Sequence, residues 1–327
     1  MDTRGKRDSL ILNPMMLVVL LLASWVSAGF VSLPPSLGEW IPAIISFTDI
    51  SQMGTSLSKS ITTMLLVINA LSLYSIGLRS LSTGANKFLL PLIYLLFVLI
   101  SPASLRFSGA SAAAPIMLWS IYFSISPKQS DLHFFISGFL ASLAALFEPS
   151  LALTILLVLL LAFSSRGVNI RSFITMLSSV ILPFSFILTI RYVLFNDALL
   201  FAELYLNEFI NISPLDFTIN SFADIVLFAA LIVVLISSLW YIAQKHGNYK
   251  IKKSRAVIRF SILLGVVVVV LVLFPDNTSS MAPVVAIPVS VVINEYLLNY
   301  EKSNKHKIQW AILLSLMLVA RISEIIR

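Results

Sequence analysis

Repeated apolar runs limit what this chain can fold into more than any other feature of its sequence. Runs of this kind, divided by short polar breaks, identify spans across a lipid bilayer. Hydrophobic residues make up 58% of the chain and charged residues only 11%, which is less than half the charged share of a typical soluble domain. We therefore predict an all-α, polytopic transmembrane bundle of about 11 helices, with spans near 13–33, 60–78, 88–101, 110–125, 132–147, 149–164, 173–195, 222–243, 257–274, 280–298 and 308–325.

The distribution of charge predicts how these spans are oriented. With the N-terminus in the cytoplasm, all but five of the 22 lysines and arginines fall in inner loops, as the positive-inside rule requires. The five exceptions are Lys59, Arg106, Arg191, Arg321 and Arg327. We predict a multi-pass protein of the bacterial inner (cytoplasmic) membrane. The net charge of +7 then reflects topology and contact with membrane lipid, so no nucleic-acid partner is expected.

The sequence offers little to bind a metal or a cofactor. It contains no cysteine and only three scattered histidines, which excludes disulfides, thiol catalysis and the usual zinc patterns. Neither of the common glycine-rich nucleotide-binding patterns occurs. We predict no metal site and no cofactor.

The stretch ALFEPSLA, residues 145–152, places a glutamate and a proline inside a long apolar segment. As one helix, residues 132–164 would measure about 50 Å, against a hydrocarbon core of about 30 Å, so they must form two spans. Pro149 suits the first turn of the second span, where its missing N–H has no helical partner to lose. The turn then falls at Glu148, and the short spans place its carboxylate in the outer half of the membrane. A carboxylate there requires water, a cation or a hydrogen-bond donor.

A second pair of short spans, 88–100 and 111–124, precedes this one, and its outer connection contains Arg106. Two short hairpins side by side predict an outward-facing vestibule with Arg106 and Glu148 near its floor, where a charged ligand can bind. Two simpler alternatives remain open: the two residues form a structural ion pair, or the Glu148 side chain extends outward to water.

Two longer outer loops, residues 33–59 and 196–221, are predicted to hold short amphipathic helices on the membrane surface. The first loop contains the acids Glu39 and Asp49. Arg191 ends the span before the second loop, so we expect it at the outer interface, where a guanidinium can bind a lipid phosphate through two hydrogen bonds. Anchoring to any lipid headgroup is the alternative. The apolar positions of the second loop are Leu199, Leu200, Leu204 and Ile210.

This layout of one span, a long outer loop with an acid, six further spans and a second outer loop resembles the GT-C superfamily of membrane glycosyltransferases. The resemblance covers residues 1–222 and makes residues 223–327 additional transmembrane helices. It implies a catalytic role for Asp49, with Glu39 a poorer candidate, and phosphate contacts from Arg106 or Arg191. It also implies a substrate sugar linked to a polyprenyl phosphate. The sequence looks, too, like an uncharacterised family of polytopic membrane proteins from Bacteroidota-type bacteria.

Three functions compete on this reading, and whether the protein is an enzyme stays open. The first is transfer or handling of a polyprenyl-phosphate-linked sugar at the outer membrane face, with Asp49 catalytic and Arg106, Glu148 and Arg191 binding the substrate. The second is a non-catalytic subunit or scaffold of a cell-envelope assembly complex, which would have another envelope protein as its partner. The third is a transporter, for which the spans offer few interior polar groups.

Overall fold

A computed structural model describes residues 55–81, 88–100, 107–125, 130–163, 170–210, 222–274, 280–299 and 315. These residues form ten α-helices and no strand. The helices are α1 Thr55–Ile76, α2 Leu89–Ile100, α3 Gly109–Ile125, α4 Asp131–Phe147, α5 Ala152–Phe163, α6 Ile170–Ile190, α7 Ala198–Ile210, α8 Phe222–Lys245, α9 Ile251–Leu273 and α10 Ala282–Asn299. The prediction of an all-α chain is therefore confirmed for this part of the sequence.

Four of the described helical segments are long and apolar enough to cross a membrane. They are Leu57–Leu81, Ile170–Phe195, Ala229–Asn248 and Ile251–Leu273. At 1.5 Å per residue, each is at least about 30 Å long, the thickness of a hydrocarbon core. Every span predicted between residues 60 and 298 coincides with a helix. The predicted spans 13–33 and 308–325 lie outside the described residues, apart from the single residue 315.

Two helices begin several residues before the spans predicted within them. Helix α9 begins at Ile251, six residues before the predicted start at 257, and α1 begins at Thr55, five residues before the predicted start at 60. The prediction followed the apolar run, whereas both helices continue through polar residues beside it. Lysine and arginine extend their charged ends away from such a helix end while their methylene groups stay against it, so they do not terminate the helix.

Helix α10 lies at the centre of the described bundle. Its side chains are buried without interruption over residues 286–296, and it packs against α2, α3, α8 and α9. A helix that is apolar over most of its surface can bury every side, and α10 also buries the polar side chains of Ser290, Asn294 and Glu295. This late helix thus joins the early helices in one core, together with buried residues of α2 such as Leu90 and Ile93.

Small and hydroxylated side chains bring α3, α4 and α6 close together. Ser120 of α3 and Ser137 of α4 each donate a hydrogen bond to the other's carbonyl oxygen, at 2.7 and 2.9 Å. On the other side of α4, a Cβ added at Gly138 would clash with Ser179 Oγ and would lie 3.0 Å from the Met176 carbonyl oxygen. Small residues permit this close approach of helix backbones.

A buried polar contact joins α1 to α2. The side-chain amide of Asn69 donates a hydrogen bond of 2.9 Å to the Tyr94 hydroxyl, and neither residue is accessible to solvent. Next to it, the Trp119 indole N–H of α3 donates to Ser72 Oγ of α1 at 3.1 Å. These contacts give acceptors to the Asn69 amide N–H and the Trp119 indole N–H, which would otherwise be costly to bury.

Helices α6 and α8 expose apolar side chains along much of their length. Ile174, Ile181 and Phe186 of α6 are 58%, 57% and 63% exposed. Ile232, Val233 and Ile236 of α8 are exposed to a similar extent. Apolar surface of this extent fits contact with lipid or with another protein.

Candidate functional site

The turn between α4 and α5 lies where the glutamate–proline pair predicts it. Helix α4 ends at Phe147, Glu148 adopts an extended conformation with φ −141° and ψ 100°, and Pro149 opens a single 3₁₀ turn, Pro149–Leu151. The backbone N–H of Glu148 still bonds to the Ala144 carbonyl at 3.0 Å. Proline suits its position because the first residue of a helical turn needs no N–H donor.

The Glu148 side chain is buried at this apex, with 8% of its surface exposed. Its Oε1 atom accepts a hydrogen bond of 2.8 Å from Ser150 Oγ. The first turn of α3 approaches from the other side: a Cβ added at Gly109 would lie 3.1 Å from Glu148 Oε2 and would clash with the Phe147 carbonyl oxygen. Glycine is thus required for this approach. The α3 N-terminus carries a partial positive charge that stabilises a carboxylate nearby.

Helix α7 covers the apex. The Tyr205 hydroxyl donates a hydrogen bond of 3.0 Å to the Ala145 carbonyl, and Phe201 packs with Leu146 and Ile187 in a small apolar cluster. Burial, and to a smaller extent the charge of the Glu148 carboxylate, raises the pKa of Tyr205 above its ordinary value. Helix α7 therefore packs directly over the Pro149–Leu151 turn.

The outer face of α7 carries most of its exposed apolar side chains, as the sequence predicts for an amphipathic helix. These are Leu199 at 89%, Leu200 at 56%, Leu204 at 47%, Leu206 at 52% and Ile210 at 67%, with the polar Glu203 and Asn207 exposed among them. One face of α7 therefore packs over the hairpin apex, and the opposite face presents leucine and isoleucine outward.

Arg191 lies at the corner between α6 and α7, where it is 8% exposed. Its Nη1 atom is 2.8 Å from Asp197 Oδ2, and its guanidinium carbon lies 5.0 and 5.6 Å from the ring centres of Phe195 and Phe201. Asn196 adopts a left-handed conformation, φ 55°, which asparagine tolerates better than most residues. The Asp197 partner was not predicted from the sequence. The ion pair between Arg191 and Asp197 therefore stabilises the corner between α6 and α7.

The structure brings Glu148 and Arg191 to the same end of the bundle and links both to α7. Tyr205 of α7 bonds to Ala145, three residues before Glu148, and Arg191 lies against Phe201, four residues before Tyr205 on the helix. The other predicted site residues, Asp49 with its poorer alternative Glu39, and Arg106, lie outside the described residues. The vestibule predicted from Arg106 and Glu148 remains a prediction.

A second buried polar cluster, at the opposite end of the bundle, was not predicted. Lys253 Nζ lies 2.6 Å from Glu295 Oε1, and the two side chains are 15% and 1% exposed. The Lys253 ammonium also lies 4.8 Å from the Tyr249 ring centre. Burial, and then the Glu295 carboxylate, raises the pKa of Tyr249 above its ordinary value. The signal in the sequence was the pair Asn294–Glu295 inside the apolar run of the tenth predicted span.

The chemistry available in the described residues is that of carboxylates, hydroxyls and cations. Within these ranges, no three histidine, aspartate or glutamate side chains come together to hold a metal ion. Glu148 with Ser150 offers a hydrogen-bonding pair at the α4–α5 turn, and Lys253 with Glu295 offers a buried ion pair at the other end. The two groups belong to different regions of one helical bundle.

The described residues therefore define this protein as a helical bundle, and four of the helices in these ranges are long and apolar enough to cross a membrane. The chain belongs to the family of unknown function DUF6427, whose model matches residues 16–326. No curated protein and no solved structure matches the chain.

Proposed function

We propose that this protein is embedded in the bacterial inner membrane and handles a sugar carried on a polyprenyl phosphate at the outer face. The four membrane-length helices support the embedding. The concentration of exposed basic residues where α1 ends and where α9 begins, among them Arg79, Lys250 and Lys252, supports an orientation with that end in the cytoplasm. We call this end the basic end. The α4–α5 turn with Glu148 then faces outward.

The buried Glu148 carboxylate is the observation that carries this proposal. Burying a carboxylate costs free energy even when it is hydrogen-bonded, and ionisable groups kept inside a membrane protein mark functional sites; here the carboxylate sits with a serine hydroxyl at a hairpin apex. Carboxylate and hydroxyl groups together bind the hydroxyls of a sugar. Helix α7 covers this apex, and the exposed leucines on its opposite face suit contact with the lipid from which a lipid-linked substrate would approach.

Transfer of the sugar would need two more groups, and the sequence supplies candidates for both. A carboxylate must activate the acceptor hydroxyl, which is the role proposed for Asp49. Cations must stabilise the departing phosphate, which is the role proposed for Arg106 and Arg191. If the sugar is transferred at another site, the α4–α5 turn with Glu148 only binds the lipid-linked sugar.

The test is complementation of a deletion strain with single variants, followed by mass spectrometry of extracted polyprenyl-phosphate-linked sugars. We expect deletion to alter the pool of these lipids, and Glu148→Gln and Asp49→Asn to behave like the deletion. Glu203→Gln is the matched control, because Glu203 is an exposed acid on α7. Membrane abundance of each variant is measured in parallel. The proposal fails if both site variants, present at normal abundance, leave the lipid-linked sugars unchanged.

A non-catalytic subunit of an envelope-assembly complex is the second candidate, and the apolar faces of α6 and α8 favour it. These helices carry more exposed apolar surface than the others that reach membrane-crossing length, so a partner's transmembrane helix has room to pack there. Extraction in a gentle detergent followed by affinity purification tests it. A stable partner, lost on substitution of Ile181 and Phe186 by serine but retained in Glu148→Gln, would favour this function over sugar handling.

A further inference from the structure

A cavity of about 260 Å³ opens at the basic end of the bundle. Its lining includes Arg79 and Ser80 from the π-helical turn Gly77–Leu81 that follows α1, Trp119 and Tyr122 from α3, His133 from α4, and Lys252 from α9. We propose that this cavity binds a phosphate group, either the headgroup of an anionic lipid or a small soluble phosphate ester. Glu148 lies at the other end of α3, roughly 20 Å away by helix rise, so this site is separate from the function proposed above.

The side chains that line the cavity include two cations and no acid. Arg79 and Lys252 are exposed, and neither forms an ion pair within the described ranges. Asp131, two residues from His133, is engaged by Arg171 at 3.5 Å and by Ser172 Oγ at 2.7 Å. An anion entering the cavity therefore meets cations from two helical elements.

Helix geometry gives adjacent lysines of α9 different partners. Neighbouring residues on a helix point about 100° apart, so Lys253 faces Glu295 of α10 while Lys252 lines the cavity. Lys252 is thus available to a ligand without breaking the buried ion pair.

Ser80 supplies a second, independent indication of a ligand. It is 2% exposed, and its Oγ atom has no hydrogen-bond partner in the described part of the chain. Buried hydroxyls almost always have a partner, and a phosphate oxygen in the cavity would provide one. A phosphate offers several acceptor oxygens, which match an arginine, a lysine and a hydroxyl better than a single-point anion does.

The aromatic side chains of the cavity and its volume limit the size of the phosphate compound that can bind. The Trp119 and Tyr122 rings meet edge to face at 5.3 Å between centres, and Phe123 and His133 continue this wall at 6.1 Å. Drug-sized ligands occupy pockets of about 300–1,000 Å³, so this cavity suits a phosphate with a glycerol-sized substituent. Basic pockets between membrane helices on the cytoplasmic side bind such headgroups.

The test uses the full chain, purified and delipidated in a neutral detergent, with native mass spectrometry as the measurement. The probes are phosphatidylglycerol, phosphatidylcholine and glycerol 3-phosphate. We expect one molecule of a phosphate-bearing anion, phosphatidylglycerol or glycerol 3-phosphate, to bind per chain in preference to phosphatidylcholine. Arg79→Gln combined with Lys252→Gln should weaken that binding about thirtyfold, since each cation contributes about 1 kcal/mol near a charged headgroup.

Two further variants make the result specific to the cavity. Ser80→Ala should weaken binding about fivefold, the effect of one lost hydrogen bond. Lys245→Gln is the control, because Lys245 is exposed at the same end but does not line the cavity; it should change binding less than twofold. Unchanged elution on size exclusion shows that each variant is folded.

The outcomes separate the two sources of phosphate. Binding of phosphatidylglycerol that glycerol 3-phosphate does not displace identifies a lipid headgroup. Saturable binding of glycerol 3-phosphate identifies a soluble ester. The proposal is overturned if neither probe binds saturably, or if Lys245→Gln weakens binding as much as the double variant does.

Discussion

The buried ion pair between α9 and α10 gives the sharpest stability prediction. Lys253 lies in the first turn of α9 and its side chain is 15% exposed, whereas the side chain of Glu295 on the central helix α10 is 1% exposed. In Lys253→Met the Glu295 carboxylate loses its cation and cannot reach water, so we expect a loss of about 3–5 kcal/mol in the free energy of unfolding. In Glu295→Gln the lysine can extend toward the helix end and keep some hydration. We expect that variant to lose only about 2 kcal/mol, the contribution of a charged hydrogen bond.

The assay is equilibrium unfolding in mixed micelles, with tryptophan fluorescence as the signal. The double variant Lys253→Met with Glu295→Gln leaves no uncompensated charge. We therefore expect its loss to fall about 2 kcal/mol or more below the sum of the single losses. Lys250→Met, an exposed lysine at the N-terminal end of α9, is the control and should change stability by less than about 0.5 kcal/mol. Equal losses from the two single variants, or additive losses in the double, would refute this account of the pair.

Three smaller predictions concern packing within the bundle. Gly138→Ala should lower the unfolding free energy by about 1–3 kcal/mol, because the new methyl group clashes across the α4–α6 contact; Gly265→Ala, where a Cβ meets nothing within 4 Å, should not lower it. Tyr94→Phe should cost about 1–3 kcal/mol by leaving the buried Asn69 amide without its hydroxyl acceptor. Adding Asn69→Leu to Tyr94→Phe should recover part of that loss. The same unfolding assay measures all the variants in this group. Gly109→Ala should destabilise the α3–α4 contact through its clash with a carbonyl oxygen; a wild-type unfolding midpoint would contradict the close approach seen there.

Local signals explain why the α4–α5 hairpin could be predicted from the sequence. The apolar segment is too long for one span, and the first turn of a helix is the position where proline loses no helical hydrogen bond. Together these two constraints leave Glu148 as the turning residue, which is where the chain turns. The amphipathic helix α7 was predictable for a similar reason, because its exposed leucines recur at helical spacing.

The partners of the buried charges could not be predicted, because they come from elements distant in the chain or from tertiary packing. Lys253 reads as one of several basic residues in a cytoplasmic loop, and nothing near it in the sequence indicates Glu295. Arg191 reads as an interfacial anchor, yet a π-helical turn and the left-handed Asn196 bring Asp197 back to it. Local propensity and apolar periodicity carry no information on such contacts.

The separation between the two ends of the bundle limits how either proposed site could influence the other. Helix α3 runs from Gly109, beside Glu148, to the aromatic residues of the cavity at the basic end. Between these ends lie tightly packed small side chains, such as Ser120 against Ser137. Sites separated by more than about 10 Å without shared partners act additively as a rule. Loss of phosphate binding at the basic end would therefore leave sugar handling at Glu148 intact. An unchanged pool of lipid-linked sugars in Glu148→Gln would likewise not count against the phosphate site.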